Sequence, residues 1–265
     1  MAPSQLDHLA GIVSRKRLEV VRRVRRAATF VRFAECAPSP RADLLGPLRR
    51  TSDKPRVIAE IKLRSPSAGA IRERRSGELT AIARGYQQAG AAAISVLCDG
   101  PGFGGSPLDL RRVAEAVQVP TLFKEFVVDA VQVDLARAVG ASYVLLLVRV
   151  LNDRELGALI REVRGRGLEP IVEAADEQEL ERALASDARI VGVNARDLRS
   201  FSVDAARAGE LVERIPSERV AIFMSGVRTR EDFARVSASR ADAVLIGEGL
   251  MRASDPGALL AQLLA

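Results

Sequence analysis

Lysine is rare in this chain, and where it stands is informative. Of 40 basic residues, 36 are arginines; the four lysines are Lys16, Lys54, Lys62 and Lys124. Lys62 and Lys124 each end a short apolar run, residues 57–62 and 121–124. Burial or a neighbouring charge can tune a lysine to give up or hold a proton, which a guanidinium cannot do. Glu60 lies two residues before Lys62, hence on the same side of an extended strand. Glu173 and Asn194 end two further runs, with Arg196 just beyond the second, and Glu125 follows Lys124. Two lysines facing two carboxylates around a rim make a proton-transfer site without histidine. The chain has one histidine, His8. A Schiff-base lysine of the aldolase type fits the same pattern, and residue type and position leave both chemistries open.

A second group suits an anion. Ser225-Gly226-Val227 and Gly247-Glu248-Gly249 follow two later apolar runs. Gly226 and Gly247 let backbone N–H groups come close to a phosphate. The Glu248 carboxylate would oppose that phosphate, so only its backbone is expected to matter. The expected ligand is a small phosphorylated metabolite.

These residues need a scaffold that gathers strand ends. Eight β-rich runs occur at residues 57–62, 93–97, 121–124, 143–148, 169–173, 190–194, 220–224 and 243–246. Most are continuously apolar, as in parallel strands covered by helices. Helical stretches fill the gaps at 78–89, 107–117, 129–139, 153–164, 176–185, 203–213 and 229–238, with a last one at 256–264. Asp153 and Asp176 read as helix caps, and Gly90 and Gly140 as stops. Strand starts recur every 21–36 residues, the size of a βα unit. The expected fold is α/β: one TIM (β/α)8 barrel domain over residues 1–265, with residues 1–50 an N-terminal helical extension. An open doubly wound sheet would offer a glycine-rich turn after its first strand, and Leu63-Arg64-Ser65-Pro66-Ser67-Ala68-Gly69 is not one. Barrels do chemistry at strand C-termini and often bind phosphate after strands seven and eight, where the two glycine-bearing loops fall. Within residues 5–35, Leu6, Leu9, Ile12, Val13, Leu18, Val21 and Val24 form a narrow apolar stripe. That helix is expected to close one end of the barrel.

Composition removes other classes. The net charge of +6 suggests nucleic acid, but residues 1–50 carry 11 basic against four acidic residues, while the remainder carries 29 against 30. A nucleic-acid domain would carry its basic surface on the folded body, with aromatic platforms for single strands. The body is balanced, and the chain has no Trp, two Tyr and eight Phe. Cys36 and Cys98 match no metal spacing and no disulfide framework. No apolar run approaches about 18 residues, as a membrane span requires, and Met1–Asp7 does not read as a secretory signal. Acidic Glu19 and Glu35 oppose a targeting-helix reading of Arg22, Arg23, Arg25 and Arg26. The expectation is a cytoplasmic monomer with no metal, cofactor, nucleic-acid or membrane partner.

Several segments carry a family signature. They are Ile58-Ala59-Glu60-Ile61-Lys62-Leu63-Arg64-Ser65-Pro66-Ser67, Ala93-Ile94-Ser95-Val96-Leu97, Phe103-Gly104-Gly105-Ser106 and Phe123-Lys124-Glu125-Phe126. Val191-Gly192-Val193-Asn194-Ala195-Arg196-Asp197-Leu198, the Lys16-Arg17-x-Glu19-Val20 segment and Leu245-Ile246-Gly247-x-x-Leu250-Met251 complete it. On these the chain resembles the indole-3-glycerol phosphate synthase family over nearly its whole length. The resemblance implies a cofactor-free ring closure, decarboxylation and dehydration of 1-(2-carboxyphenylamino)-1-deoxyribulose 5-phosphate. It implies Lys124 as general acid, Lys62 assisting loss of the hydroxyl, Glu173 and Glu60 as carboxylate partners, and Asn194 and Arg196 orienting the substrate. Phe103, Pro66 and Phe126 would line the aryl pocket; Ser65, Ser225, Gly226, Gly247 and Glu248 match the family's polar and phosphate loops. The chain departs from the family at Met224, where Glu is usual, at Ala174-Ala175 for Val-His, at Ala195 for Asn, and in the turn Cys98–Gly102. Met224 keeps open an alternative: a diverged lyase or isomerase on this barrel, acting on a related sugar phosphate or anthranilate-derived substrate. A non-catalytic scaffold is the third reading; it requires that Lys124→Ala leave function intact.

Overall fold

The computed structural model describes residues 6–25, 28–29, 41–196 and 202–265. Glu35, Cys36, Asp197 and Leu198 lie outside the described residues. Eight parallel strands close into a barrel: β1 (Arg56–Ile61), β2 (Ala93–Leu97), β3 (Thr121–Lys124), β4 (Tyr143–Leu147), β5 (Glu169–Ala174), β6 (Ile190–Asn194), β7 (Val220–Met224) and β8 (Ala243–Ile246). Each pairs with its sequence neighbours, and β8 returns to β1. The helices are α1 (Leu6–Val24), α2 (Glu78–Gln88), α3 (Pro107–Ala116), α4 (Ala130–Ala138), α5 (Asp153–Gly165), α6 (Glu177–Ala185), α7 (Ala205–Glu213), α8 (Arg230–Ser237), α9 (Glu248–Arg252) and α10 (Pro256–Leu264). This is the (β/α)8 barrel with an N-terminal helix.

The period of two along each strand builds two cores and places the site. Val57, Ala59 and Ile61 of β1 pack outward among the helices, with Phe123, Val172, Val191, Phe223 and Val244 of other strands. Ile58, Leu122, Ile171, Ile190, Ile222 and Leu245 fill the barrel interior. Continuing the inward register by two residues at the C-terminal ends reaches Glu60, Lys124, Glu173 and Met224. The cross-strand register aligns them: Glu60 stands opposite Ser95, Leu97 opposite Lys124, Leu147 opposite Glu173 and Asn194 opposite Met224. A strand can therefore read as apolar throughout and still end in a polar inward residue.

Local chemistry ends the helices as sequence suggests, with one correction. Asp176 caps α6, accepting from the Glu179 N–H, and Gly90 and Gly140 follow α2 and α4 at φ 96 and 85°. Asn152, not Asp153, caps α5; it forms a capping box with Glu155, and Asp153 is the first-turn acid.

The N-terminal segment serves both ends of the barrel. Leu44, Leu45 and Leu48 pack against the interior cluster, and Tyr143 Oη donates to Leu44 O at 2.8 Å, at the strand N-termini. Helix α1 instead reaches the opposite rim, where Lys16 pairs with Asp99 and Glu125, just after β2 and β3. Among the described residues no helix is long and apolar enough to cross a membrane.

Candidate active site

At the C-terminal rim Lys124 Nζ lies 3.0 Å from Glu173 Oε2. The other Glu173 oxygen accepts from Asn194 Nδ2 at 2.8 Å, and Asn194 Oδ1 accepts from the Arg196 N–H at 3.0 Å. One chain of hydrogen bonds thus fixes the ends of β3, β5 and β6. At the end of β1, Lys62 Nζ sits 3.2 Å from Glu60 Oε1, and Ser95 Oγ donates to Glu60 Oε2 at 3.2 Å. Both lysine side chains are 15% exposed, and both carboxylates are buried. Each lysine therefore presents its ammonium to the cavity while a carboxylate holds it from behind.

Burial works to lower the Lys124 pKa, and Glu173, then Glu60, raise it; the balance leaves it raised above the usual 10.5. Lys124 is therefore an ammonium at neutral pH, a proton donor, whereas Schiff-base chemistry needs a free amine. Met224 stands beside it, its Sδ 4.0 Å from Lys124 Nζ. The methionine side chain fills the volume that a side chain at Gly192 would need, which explains a glycine inside β6.

Phe103 and Phe126 form an apolar wall, ring centroids 6.1 Å apart at 38°. Phe103 comes from the one-turn helix Gly100–Phe103, which Asp99 caps. Pro66 belongs to the hairpin joining Arg64–Ser65 to Gly69–Ala70. In that hairpin Ser65 Oγ accepts from the Ala68 N–H at 3.1 Å and lies 3.3 Å from Ser67 Oγ. These residues, the two lysine–glutamate pairs, Asn194, Arg196 and Ser225 line one small, open cavity. A wider depression lies outside β5 and β6 and is walled by Arg149, Asp176, Glu181, Asp204 and Arg207; neither strand-end lysine lines it.

The loops after β7 and β8 flank the cavity. Ser225 and Gly226 have φ 69 and 81°. A non-glycine residue at positive φ stores strain of about 1–3 kcal/mol, and such strain clusters at functional sites. A Cβ on Gly247 would lie 2.6 Å from Glu60 Oε1, so only glycine leaves Glu60 its place. The Glu248 carboxylate pairs with Arg196 at 3.4 Å, Arg228 at 3.5 Å and Arg252 at 3.3 Å. Against expectation, its side chain has a part: it gathers three arginines beside the loops suited to an anion. Arg196 also donates to Ser67 Oγ at 3.2 Å.

Eleven residues named from sequence thus line one cavity; Gly226, Gly247 and Glu248 border it without lining it. Glu125, which was given no role at the site, lines it too and turns its carboxylate to Lys16. Sequence reading gave no role to Ser95 and Ser67, whose partners Glu60 and Arg196 are distant in the chain, and did not single out Arg228 and Arg252. Lys16 had a signal in the scarcity of lysine. Among the described residues no group of three or more His, Cys, Asp and Glu is placed to hold a metal ion.

Comparison with known proteins adds an independent finding. Residues 9–263 match the family described as indole-3-glycerol phosphate synthase. A Streptomyces coelicolor protein, indole-3-glycerol phosphate synthase 2, is 44% identical over 252 residues, covering 94% of this chain and 95% of that protein. The Opitutus terrae indole-3-glycerol phosphate synthase is 42% identical over 264 residues, covering 97% and 98%. Among solved structures, the N-acetylmannosamine-6-phosphate 2-epimerase from Clostridium perfringens superposes with a TM-score of 0.56 at 16% identity, covering 79% of this chain and 92% of that one. That likeness concerns the fold alone.

Proposed function

The chain belongs to the indole-3-glycerol phosphate synthase family, decarboxylating lyases of tryptophan biosynthesis, and on that premise we propose that it converts 1-(2-carboxyphenylamino)-1-deoxyribulose 5-phosphate into indole-3-glycerol phosphate, carbon dioxide and water. One observation carries the reading: a lysine paired with Glu173 shares one cavity with an aromatic wall and with Ser225, which begins one of the two anion-suited loops. The three match the aryl ring, the ketone and the phosphate of a single substrate.

The steps follow from the residues. Phe103, Phe126 and Pro66 hold the aryl ring, and the Ser225-Gly226 and Gly247-Glu248 backbone receives the phosphate, with Ser65, Asn194 and Arg196 orienting the chain between them. Fixing both ends brings the ring carbon that bears the carboxylate against the C2′ carbonyl carbon. As that C–C bond forms, Lys124 gives its proton to the carbonyl oxygen, which becomes a hydroxyl. The carboxylate leaves as carbon dioxide, and its electron pair returns to the ring system. Lys62 then assists departure of the C2′ hydroxyl as water, while Glu173 or Glu60 takes the proton from C1′. Glu60 and Glu173 each stand within 3.2 Å of a lysine at the same rim, so the final proton is assigned to the pair of carboxylates rather than to one.

A test separates this from Schiff-base chemistry on the same lysines. With Lys124 protonated, kcat on this substrate is expected to show no alkaline limb between about pH 6 and 9, and borohydride is expected to trap no covalent adduct. A fall in kcat centred near neutral pH together with a reducible adduct would contradict the general-acid role.

Met224 favours a second reading, a related anthranilate-derived substrate, because a thioether cannot take the place of a carboxylate beside Lys124. The 4.0 Å separation of Met224 Sδ from Lys124 Nζ puts a carboxylate introduced at this position within reach of the ammonium. If methionine merely replaces a helpful group, Met224→Glu should raise kcat on the family substrate, by about 3–10-fold. An equal or lower rate would mean that the pocket is built around methionine.

A further inference from the structure

Lys16 is the most deeply buried lysine, 1% exposed, and the chemistry above does not use it. Its ammonium meets three carboxylate oxygens: Asp99 Oδ1 at 2.8 Å, Glu125 Oε2 at 3.0 Å and Glu19 Oε2 at 3.0 Å. Three acceptors match the three donors of an ammonium; a planar guanidinium would present a larger, flat fork. That accounts for a lysine here in a chain that writes 36 of its 40 cations as arginine. Burial works to lower its pKa, and Glu125 and Asp99 more than offset this, so the charge is held.

The second oxygen of each barrel carboxylate is the informative one. Asp99 Oδ2 accepts from the Gly102 N–H at 2.6 Å, capping the turn that carries Phe103. Glu125 Oε1 accepts from the Phe126 N–H at 2.9 Å. Asp99 therefore bridges Lys16 to the N–H of Gly102, the residue before Phe103, and Glu125 bridges it to the N–H of Phe126 itself. Ile12, one turn earlier on α1, belongs to the same apolar cluster as Phe126, with Phe103 packed against it.

From these bridges we propose that Lys16 is a positioning residue for the aryl end of the substrate: it ties the β2 and β3 loops together and sets the spacing of Phe103 and Phe126. The proposal rests on the aryl-pocket reading above. It also gives α1 a task that sealing a barrel end would not require, because an apolar contact would seal as well without burying a charge.

The test uses the full chain, the proposed substrate and two binding probes. One is the reduced substrate, the carboxyphenylamino ribitol phosphate; the other is glycerol 3-phosphate, which has the anion and no ring. The chain has no tryptophan, so the fluorescence of the aryl probe is unobscured. Lys16→Met is expected to raise KM and weaken the reduced substrate on the order of tenfold, to change kcat by less than about twofold, and to leave glycerol 3-phosphate binding unchanged. Should Lys16→Met fail to fold, Asp99→Asn carries the same comparison, since it keeps an oxygen for Gly102 N–H and loses the ion pair. Unchanged aryl binding in a folded variant would overturn the proposal, as would equal weakening of both probes. Wild-type turnover in the same series tests the synthase reading itself, so the two failures are distinguishable.

Discussion

Lys124→Ala is expected to lower kcat by about 10²–10⁴-fold, the usual contribution of a positioned general acid, with little change in KM. The residue ends β3 with its ammonium toward the cavity, 3.0 Å from Glu173. On the proposed mechanism, removing Lys124 takes away the group that protonates the C2′ oxygen as negative charge develops on it. The aromatic wall and the loops after β7 and β8 are untouched, so ground-state binding should persist. Steady-state kinetics with the family substrate measures both constants. A large rise in KM with kcat preserved would make Lys124 a binding group, and intact turnover would return the barrel to the non-catalytic reading.

Glu173→Gln should be nearly as damaging, lowering kcat on the order of a hundredfold, and it carries a signature of its own. Glu173 holds Lys124 with one oxygen and Asn194 with the other, at 3.0 and 2.8 Å. Glutamine keeps the shape, removes the charge, and offers Lys124 or Asn194 a donor where an acceptor stood. The Lys124 pKa is lowered by burial and raised first by Glu173 and then by Glu60. Taking away the larger raising contribution lets burial prevail, so the pKa must fall. The residual kcat should then lose its protonated lysine on the alkaline side at a lower pH than the wild type does. A profile with the alkaline limb unmoved would show that Glu173 acts on the substrate and not through Lys124.

The strand ends were legible because the barrel repeats one rule eight times. A lysine, glutamate or asparagine closing an apolar run marks the inward register, and Glu60, Lys124, Glu173 and Asn194 were found that way. Glycines 226 and 247 were legible as loop residues, but the reason for Gly247 was not. It lies in a close approach to Glu60, a residue of the first strand that no local pattern connects to the last. Charge alone suggests repulsion between Glu248 and a phosphate; the three arginines that pair with it come from the ends of β6 and β7 and from α9, which no local pattern connects. Helix α1 was legible as an amphipathic helix, yet its destination was not. An apolar stripe specifies that a face is covered, while the buried Lys16 specifies where, and its partners Asp99 and Glu125 follow two different strands. Asp153 lost the cap of α5 to its neighbour Asn152, a one-residue choice that two good capping residues in a row leave undetermined.

The central claim is that two lysine–carboxylate pairs at one barrel rim perform ring closure, decarboxylation and dehydration with the chain's own residues. The direct measurement incubates the purified, folded protein with 1-(2-carboxyphenylamino)-1-deoxyribulose 5-phosphate in chelator-treated buffer, recording indole fluorescence and released carbon dioxide together. The account predicts both signals rising in equal amounts until the substrate is exhausted. A flat fluorescence trace from folded protein, or carbon dioxide without the indole, would contradict it.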